Sequence, residues 1–171
     1  SLRPGRWLND TIINRYFMLL QKRDVLSSRH GNQSGGRTVY FKSFFISYYL
    51  LNIGHINPKL NGVYLYDRVK TWTKSNLPAG DDLFKFSKLI IAINISNVHW
   101  ICAAVFMEEK RIQVYDSLGG KGDKYLHNIY RYLKDEHLDK KKTELPGIGD
   151  WQLITTTKET PRQKNSECYL C

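Results

Sequence analysis

The chain has 171 residues, of which 42% are hydrophobic and 13% aromatic, so it can bury one compact core and is not a disordered chain. Its 26 Lys and Arg residues against 16 Asp and Glu give a net charge of +10, which favours an acidic partner. Because the basic residues are scattered and no zinc-finger or RNA-recognition motif is present, an acidic protein surface is favoured over a nucleic acid.

The first half of the chain predicts helical structure around an aromatic segment. A helix is predicted to begin at Asn9 or Asp10 and to fade near Ser27, because apolar residues recur there at helical spacing. Residues 39–51 are dense in aromatic side chains and predict buried helical or irregular structure. Residues 66–74 again show helical spacing and predict a second helical segment.

The second half predicts a sheet followed by a helix and a closing strand. Residues 88–95 (KLIIAINI) are too apolar for a half-solvated strand and suggest a central one, and 99–107 and 111–116 predict two further strands. Residues 123–137 predict an amphipathic helix, and 151–156 predict a fourth strand. This order of elements predicts an α+β fold.

Two polar residues stand at the ends of neighbouring predicted strands. His99 opens one strand and Asp116 closes the next, so a hairpin about a turn at 108–110 brings them to the same end of the ladder, to within a bulge. A carboxylate there can accept the proton on the His Nδ1 and support an imidazolium. A thiol beside such a His becomes a nucleophilic thiolate, and Cys168 or Cys171 is available late in the chain.

The three cysteines predict free thiols. An odd count does not suit a disulfide framework, and Cys168 and Cys171 have no second cluster to complete a zinc site. Cys102 lies three residues after His99 on the same predicted strand, so its side chain points to the opposite face. Free thiols favour an intracellular setting, nuclear or cytoplasmic, and no apolar run is long enough to cross a membrane.

Four motifs occur in the order found in the SUMO/sentrin-specific proteases. They are residues 5–14 (GRWLNDTIIN), 98–100 (VHW), 114–117 (VYDS) and 161–168 (PRQKNSEC). The chain resembles this family over almost its whole length. The resemblance implies an α+β, papain-like cysteine protease fold with a central mixed sheet flanked by helices. It also implies a single catalytic domain over 1–171, without the helices that usually follow the nucleophile.

The resemblance implies a peptidase that cleaves after the C-terminal Gly-Gly of a SUMO-like modifier, in precursors or in lysine conjugates. The implied partner is SUMO or a related ubiquitin-like protein, and no metal or cofactor is expected. By position, His99 is implied as general base and acid, Asp116 as the residue that orients it, and Cys168 as the nucleophile. Gln163 is implied as a donor to the oxyanion.

Three further residues are implied in substrate binding. Trp7 and Trp100 match aromatic residues that line a narrow tunnel over the di-glycine, where flat indoles exclude any larger side chain. Asp10 matches a residue that contacts the modifier, and it also fits the role of a helix cap.

The final motif departs from the family pattern and leaves alternatives open. Gln163 lies one position closer to Cys168 than in the family, and Tyr169 follows where the family has Gly. Missing residues, a truncated chain and a degenerate member each fit these departures. The other functions that remain are an isopeptidase for ubiquitin or NEDD8, an acetyltransferase with the same triad, a pseudoprotease that binds a modifier without cutting it, and a basic nucleic-acid binder.

Overall fold

The computed structural model describes residues 8–29, 37–53, 57–77 and 82–162. Within these ranges the helices and strands are α1 (Asp10–Arg29), β1 (Thr38–Phe41), α2 (Trp72–Asn76), β2 (Lys88–Ile95), β3 (His99–Phe106), β4 (Arg111–Tyr115), α3 (Asp123–Lys141) and β5 (Gln152–Ile154). A π-helical turn, Phe45–Leu50, and short 3-10 turns lie between them. Among the described helices, none combines the length and the apolar character needed to span a bilayer.

The five strands form one mixed sheet in sequence order. β2, β3 and β4 are joined as antiparallel hairpins, whereas β1 runs parallel to β2 and β5 runs parallel to β4. β2 therefore lies inside the sheet, between β1 and β3, as its mostly apolar sequence predicts. The predicted α+β fold with a central mixed sheet flanked by helices is confirmed.

Several elements differ from their predicted form. The segment predicted as helical at 66–74 is a 3-10 turn, Tyr66–Arg68, followed by α2, and the strand predicted at 151–156 is the shorter β5. Residues 38–41 form β1, a strand at the start of the segment where helical or irregular structure was expected. Val39 and Phe41 are buried, but a strand of four residues is too short for the alternation of buried and exposed side chains to stand out in an aromatic-rich sequence. α3 runs beyond the predicted residue 137 to Lys141, because only at Lys142 does the backbone turn left-handed, with φ of 60°.

The core lies between the sheet and α3. Leu126, Ile129 and Leu133 of α3 are buried at helical spacing, as predicted. Tyr132 of the same helix is also buried, and its ring packs edge-on against Phe45 with centroids 4.8 Å apart. Burial of each such side chain contributes about 1.5–3 kcal/mol to stability.

A buried carboxylate ties α3 to the segment before β2. Glu136 is only 1% exposed, and Thr73 Oγ1 and Tyr66 OH each donate a hydrogen bond of 2.7 Å to it. Burial raises the pKa of Glu136 above its ordinary value of 4.5, and the two hydroxyl donors offset part of that increase.

We expect Glu136 to make the free energy of unfolding fall as the pH rises. Its pKa is higher in the folded chain than in the unfolded chain, so the folded chain holds the proton more tightly between those two values. The contribution is complete below the ordinary pKa of 4.5 that the unfolded chain keeps, and it is lost as the pH rises through the folded pKa. Urea unfolding across this window should show a smaller decline for Glu136→Gln than for the wild type.

The exposed Glu144 provides the matched control. Glu144→Gln should keep the wild-type decline over the same window. If Glu136→Gln and wild type have parallel pH profiles, Glu136 does not carry this linkage.

Candidate active site

The structure brings His99 and Asp116 into contact. His99 is the first residue of β3, and Asp116 directly follows the last residue of β4. The antiparallel register pairs Cys102 with Tyr115, so the chain that leaves β4 runs toward the start of β3. The two atoms His99 Nε2 and Asp116 Oδ1 are 2.7 Å apart, and the residues are only 9% and 6% exposed.

The contact involves a different ring nitrogen from the one expected. Asp116 accepts from Nε2 of His99, so the expectation that it would accept from Nδ1 is wrong. Because the carboxylate is an acceptor, the proton of the neutral ring lies on Nε2, and Nδ1 is left as the basic nitrogen. Strand spacing predicts which end of the ladder holds the pair, but it does not determine the rotation of the imidazole ring.

Backbone groups hold Asp116 in place. The N–H of Leu118 donates to Oδ1 at 2.8 Å, and the N–H of Gly119 donates to the backbone carbonyl of Asp116 at 2.9 Å. A Cβ at residue 120 would lie 2.3 Å from Asp116 Oδ2, so only Gly120 allows the chain to pass this close. The chain after β4 thus wraps around the carboxylate and fixes its direction toward His99.

The side chain of Thr156, which follows β5, also contacts Asp116. Thr156 Oγ1 accepts from the backbone N–H of Asp116 at 3.0 Å. Sequence reasoning missed both Thr156 and the role of Gly120. The Gly-Gly pair after the Asp was an available signal for Gly120, whereas Thr156 is 40 residues away and carried no local signal.

Trp100 connects the site to the N-terminal part of the chain. It is half-buried, and its Nε1–H donates to the backbone carbonyl of Leu8 at 3.0 Å. Trp7, its expected partner in the tunnel, lies outside the described residues. The structure therefore brings the residue after Trp7 against Trp100, and the tunnel itself stays a prediction.

Asp10 does not cap α1. Asn9 does so, since its Oδ1 accepts from the N–H of Ile12 at 3.1 Å. Asp10 Oδ1 instead accepts from Ser43 Oγ at 2.8 Å, which helps to hold α1 against the chain after β1. The interpretation of Asp10 as a helix cap is wrong, and its contact with a modifier stays a prediction.

The expected nucleophile and oxyanion donor, Cys168 and Gln163, lie outside the described residues, as does Cys171. Arg162, the last described residue, donates from Nη1 to the backbone carbonyl of Asp116 at 3.5 Å. The residue that precedes Gln163 in the sequence is therefore in contact with the site. The roles of Gln163 and Cys168 stay predictions.

Cys102 is a free thiol on β3 and is half-buried. His99, Ile101 and Ala103 are buried on the other face of the strand, so the Cys102 side chain points away from the imidazole. Burial raises the pKa of Cys102 to about 11, which keeps it protonated at neutral pH. Within the described ranges, no three His, Cys, Asp or Glu side chains are grouped as metal ligands.

The sequence matches the model of a protein family. The family model described as the Ulp1 protease family, C-terminal catalytic domain, matches residues 6–168. The chain is 34% identical over 169 residues to a sentrin-specific protease of Caenorhabditis elegans, a match that covers 98% of this chain and 21% of that protein. It is 29% identical over 166 residues to ubiquitin-like-specific protease 1A of Arabidopsis thaliana, covering 96% of this chain and 30% of that protein.

Solved structures agree with this match. One is the SUMO protease Ulp1 with its catalytic cysteine oxidised to a sulfenic acid, with a TM-score of 0.69, 27% identity, and coverage of 97% of this chain and 62% of that chain. Another is the C-terminal Ulp1 protease domain in complex with Smt3, the yeast ortholog of SUMO, with a TM-score of 0.66, 25% identity and the same coverage. The chain thus spans less than a third of these curated relatives and under two thirds of these solved chains.

We expect iodoacetamide at about pH 6 to label Cys168 before the other cysteines. A thiol paired with an imidazolium ionises well below the free-thiol pKa of about 8.5, whereas burial holds Cys102 protonated. Limited labelling followed by peptide mass spectrometry would measure the order in which the three cysteines react.

The His99→Ala variant tests the cause of this selectivity, because it removes the paired imidazole and should abolish the preference for Cys168. Earlier labelling of Cys171 or Cys102 in the wild type would contradict the assignment of the nucleophile.

Proposed function

The chain belongs to the Ulp1 protease family, and we propose on that basis that it is a cysteine isopeptidase that cleaves after the C-terminal Gly-Gly of a SUMO-like modifier. The substrates would be modifier precursors, lysine conjugates or both. The observation that carries the proposal is the buried 2.7 Å contact between His99 Nε2 and Asp116 Oδ1. It leaves Nδ1 as a base of fixed direction, which is what activation of a thiol requires.

The proposed reaction has two halves. Nδ1 of His99 takes the thiol proton of Cys168, and the thiolate attacks the carbonyl carbon of the terminal Gly. The tetrahedral intermediate collapses to a thioester as the imidazolium protonates the leaving amine, and Gln163 would donate to the oxyanion. Water then attacks the thioester with His99 as base, which releases the modifier carboxylate and restores the thiol.

Asp116 would act in both halves without reacting itself. By accepting from Nε2 it keeps the neutral ring in the tautomer with a free Nδ1, and it stabilises the imidazolium once the ring is protonated. Its own orientation is supported by the Leu118 N–H and by the close approach of Gly120. This division of roles needs no group outside the chain.

The proposed substrate class is supported by charge and by relatives. A net charge of +10 favours docking of an acidic protein, and complementary charge accelerates association. Ulp1, to which the chain is similar, has been solved in complex with Smt3, the yeast ortholog of SUMO. Because a thiolate nucleophile needs reducing conditions, the proposal includes an intracellular site of action, nuclear or cytoplasmic.

A panel of C-terminal fluorogenic substrates made from SUMO, ubiquitin and NEDD8 tests this function. The wild-type chain should cleave the SUMO substrate fastest. His99→Ala should lower kcat by about a thousandfold or more, since base and acid are lost together, while modifier binding stays nearly intact. Asp116→Asn should lower kcat less, because Asp116 orients the ring and does not react.

The exposed His127 on α3 gives a matched control, and His127→Ala should keep the wild-type kcat. A loss below tenfold in folded His99→Ala would remove His99 from the mechanism. Tight binding of SUMO by the wild type without turnover would establish a pseudoprotease instead.

The predicted tunnel should prevent cleavage of substrates that carry a side chain next to the cleaved bond. A modifier that ends in Ala-Ala should resist cleavage, because indoles of Trp7 and Trp100 leave room only for glycine. Trp100→Ala should strongly lower kcat/KM while Tm shows that the variant remains folded. Trp100→Phe separates the two contributions of the indole, since it keeps an aromatic ring but loses the Nε1 donor to Leu8. Efficient cleavage of the Ala-Ala substrate would show that no such tunnel forms.

A further inference from the structure

At the end of β4, a side chain makes the hydrogen bonds that the backbone of a neighbouring strand would otherwise make. The β4–β5 ladder stops at Ile154, and extending its register by two residues would put Thr156 opposite Tyr115. A residue paired there in a parallel ladder would bond the backbone groups on either side of Tyr115, the Val114 carbonyl and the Asp116 N–H. Thr156 Oγ1 contacts both of these groups: it accepts from Asp116 N at 3.0 Å and donates to Val114 O at 3.4 Å.

We propose that Thr156 is a positioning residue for the His99–Asp116 pair, an inference that rests on the proposed function. A hydroxyl both donates and accepts, so one atom supplies what a backbone N–H and a backbone carbonyl would otherwise supply. The hydroxyl fixes the backbone of Asp116 at the point where its carboxylate turns toward His99.

The site depends on this bond because Asp116 has little access to solvent. It is 6% exposed, so water cannot readily replace Thr156 as the acceptor for its N–H. The remaining described bonds of its backbone, from Gly119 and Arg162, go to the carbonyl and leave the amide to Thr156. Without the hydroxyl, the buried N–H would move toward another acceptor and carry the carboxylate with it.

Because the Thr156 hydroxyl takes the place of backbone hydrogen bonds, the chain after β5 does not have to continue as a strand. Since the hydroxyl completes the edge of β4, the backbone beyond Ile154 need not continue in the sheet. The chain instead continues to Arg162, whose Nη1 donates to the backbone carbonyl of Asp116. Thr156 thus lets one segment support Asp116 and still lead toward Gln163 and Cys168.

The test uses kinetics and a spectroscopic signature on the full chain. Thr156→Val keeps the size of the side chain but removes the hydroxyl, and should lower kcat about 10- to 100-fold, since a shift on the order of 1 Å at a catalytic group has that effect. KM should change less than about twofold, because the proposed role of Asp116 is to orient His99 and not to bind the modifier. Thr156→Ser keeps the hydroxyl and should retain wild-type kcat, as should the neighbouring control Thr155→Val.

The Nε2–H proton of His99 gives a readout that needs no substrate. Its NMR resonance in ¹⁵N-labelled protein reports the bond to Asp116, and it should shift or broaden in Thr156→Val but not in Thr156→Ser or Thr155→Val. A wild type that cleaves none of the modifier substrates would contradict the proposed function, and this resonance would still decide the role of Thr156. Wild-type kcat and resonance in Thr156→Val would overturn the inference. So would a folded Thr156→Ser variant with impaired kcat and an altered resonance, even if Thr156→Val did not fold.

Discussion

The register of the β2–β3–β4 meander is the constraint on which the site depends. Two tight turns set it. In the first, a three-residue connection, 96–98, joins Ile95 to its partner His99, and within it Ser96 and Asn97 adopt left-handed backbones with φ of 53° and 60°. In the second, Lys110 has φ of 47° and its N–H bonds to the Met107 carbonyl. Because side chains alternate along a strand, a slip of one residue in either hairpin would invert the faces of its two strands relative to each other, and a slip in the second would separate His99 from Asp116.

The carboxylate is positioned by the loop that links this meander to α3. Gly120 gives the loop room to pass Asp116, and Gly122, with φ of 69°, turns the chain into the helix. A Cβ at residue 122 would lie 2.6 Å from a methyl group of Val114, so the helix begins in close contact with the strand that carries Asp116. The packing of α3 on the sheet and the placement of the Asp116 carboxylate are therefore parts of one constraint.

The sequence predicted those parts of the site that follow from short-range pattern. The limits of β2 and the start of β3 were predicted as they are found, because a mostly apolar run and its flanking polar turns are local signals. The juxtaposition of His99 and Asp116 followed from strand spacing, and their roles came from a family resemblance. The ring nitrogen that Asp116 contacts, and the hydroxyl of Thr156, depend on rotamers and on contacts between distant residues. β1 was missed because its partner, β2, is supplied by a distant part of the chain.

Polar contacts with the edge of the sheet hold α1 in place. Its Gln21 side chain donates to the Thr38 carbonyl and accepts from the Tyr40 N–H, so one amide pairs with the open edge of β1 as a neighbouring strand would. Asp10 adds a hydrogen bond to Ser43 on the same side of the helix. Apolar packing tolerates sliding, whereas paired hydrogen bonds of this kind fix a helix in one register. Since α1 begins two residues after Leu8, whose carbonyl accepts from Trp100, the edge of the sheet determines where the N-terminal segment meets the candidate active site.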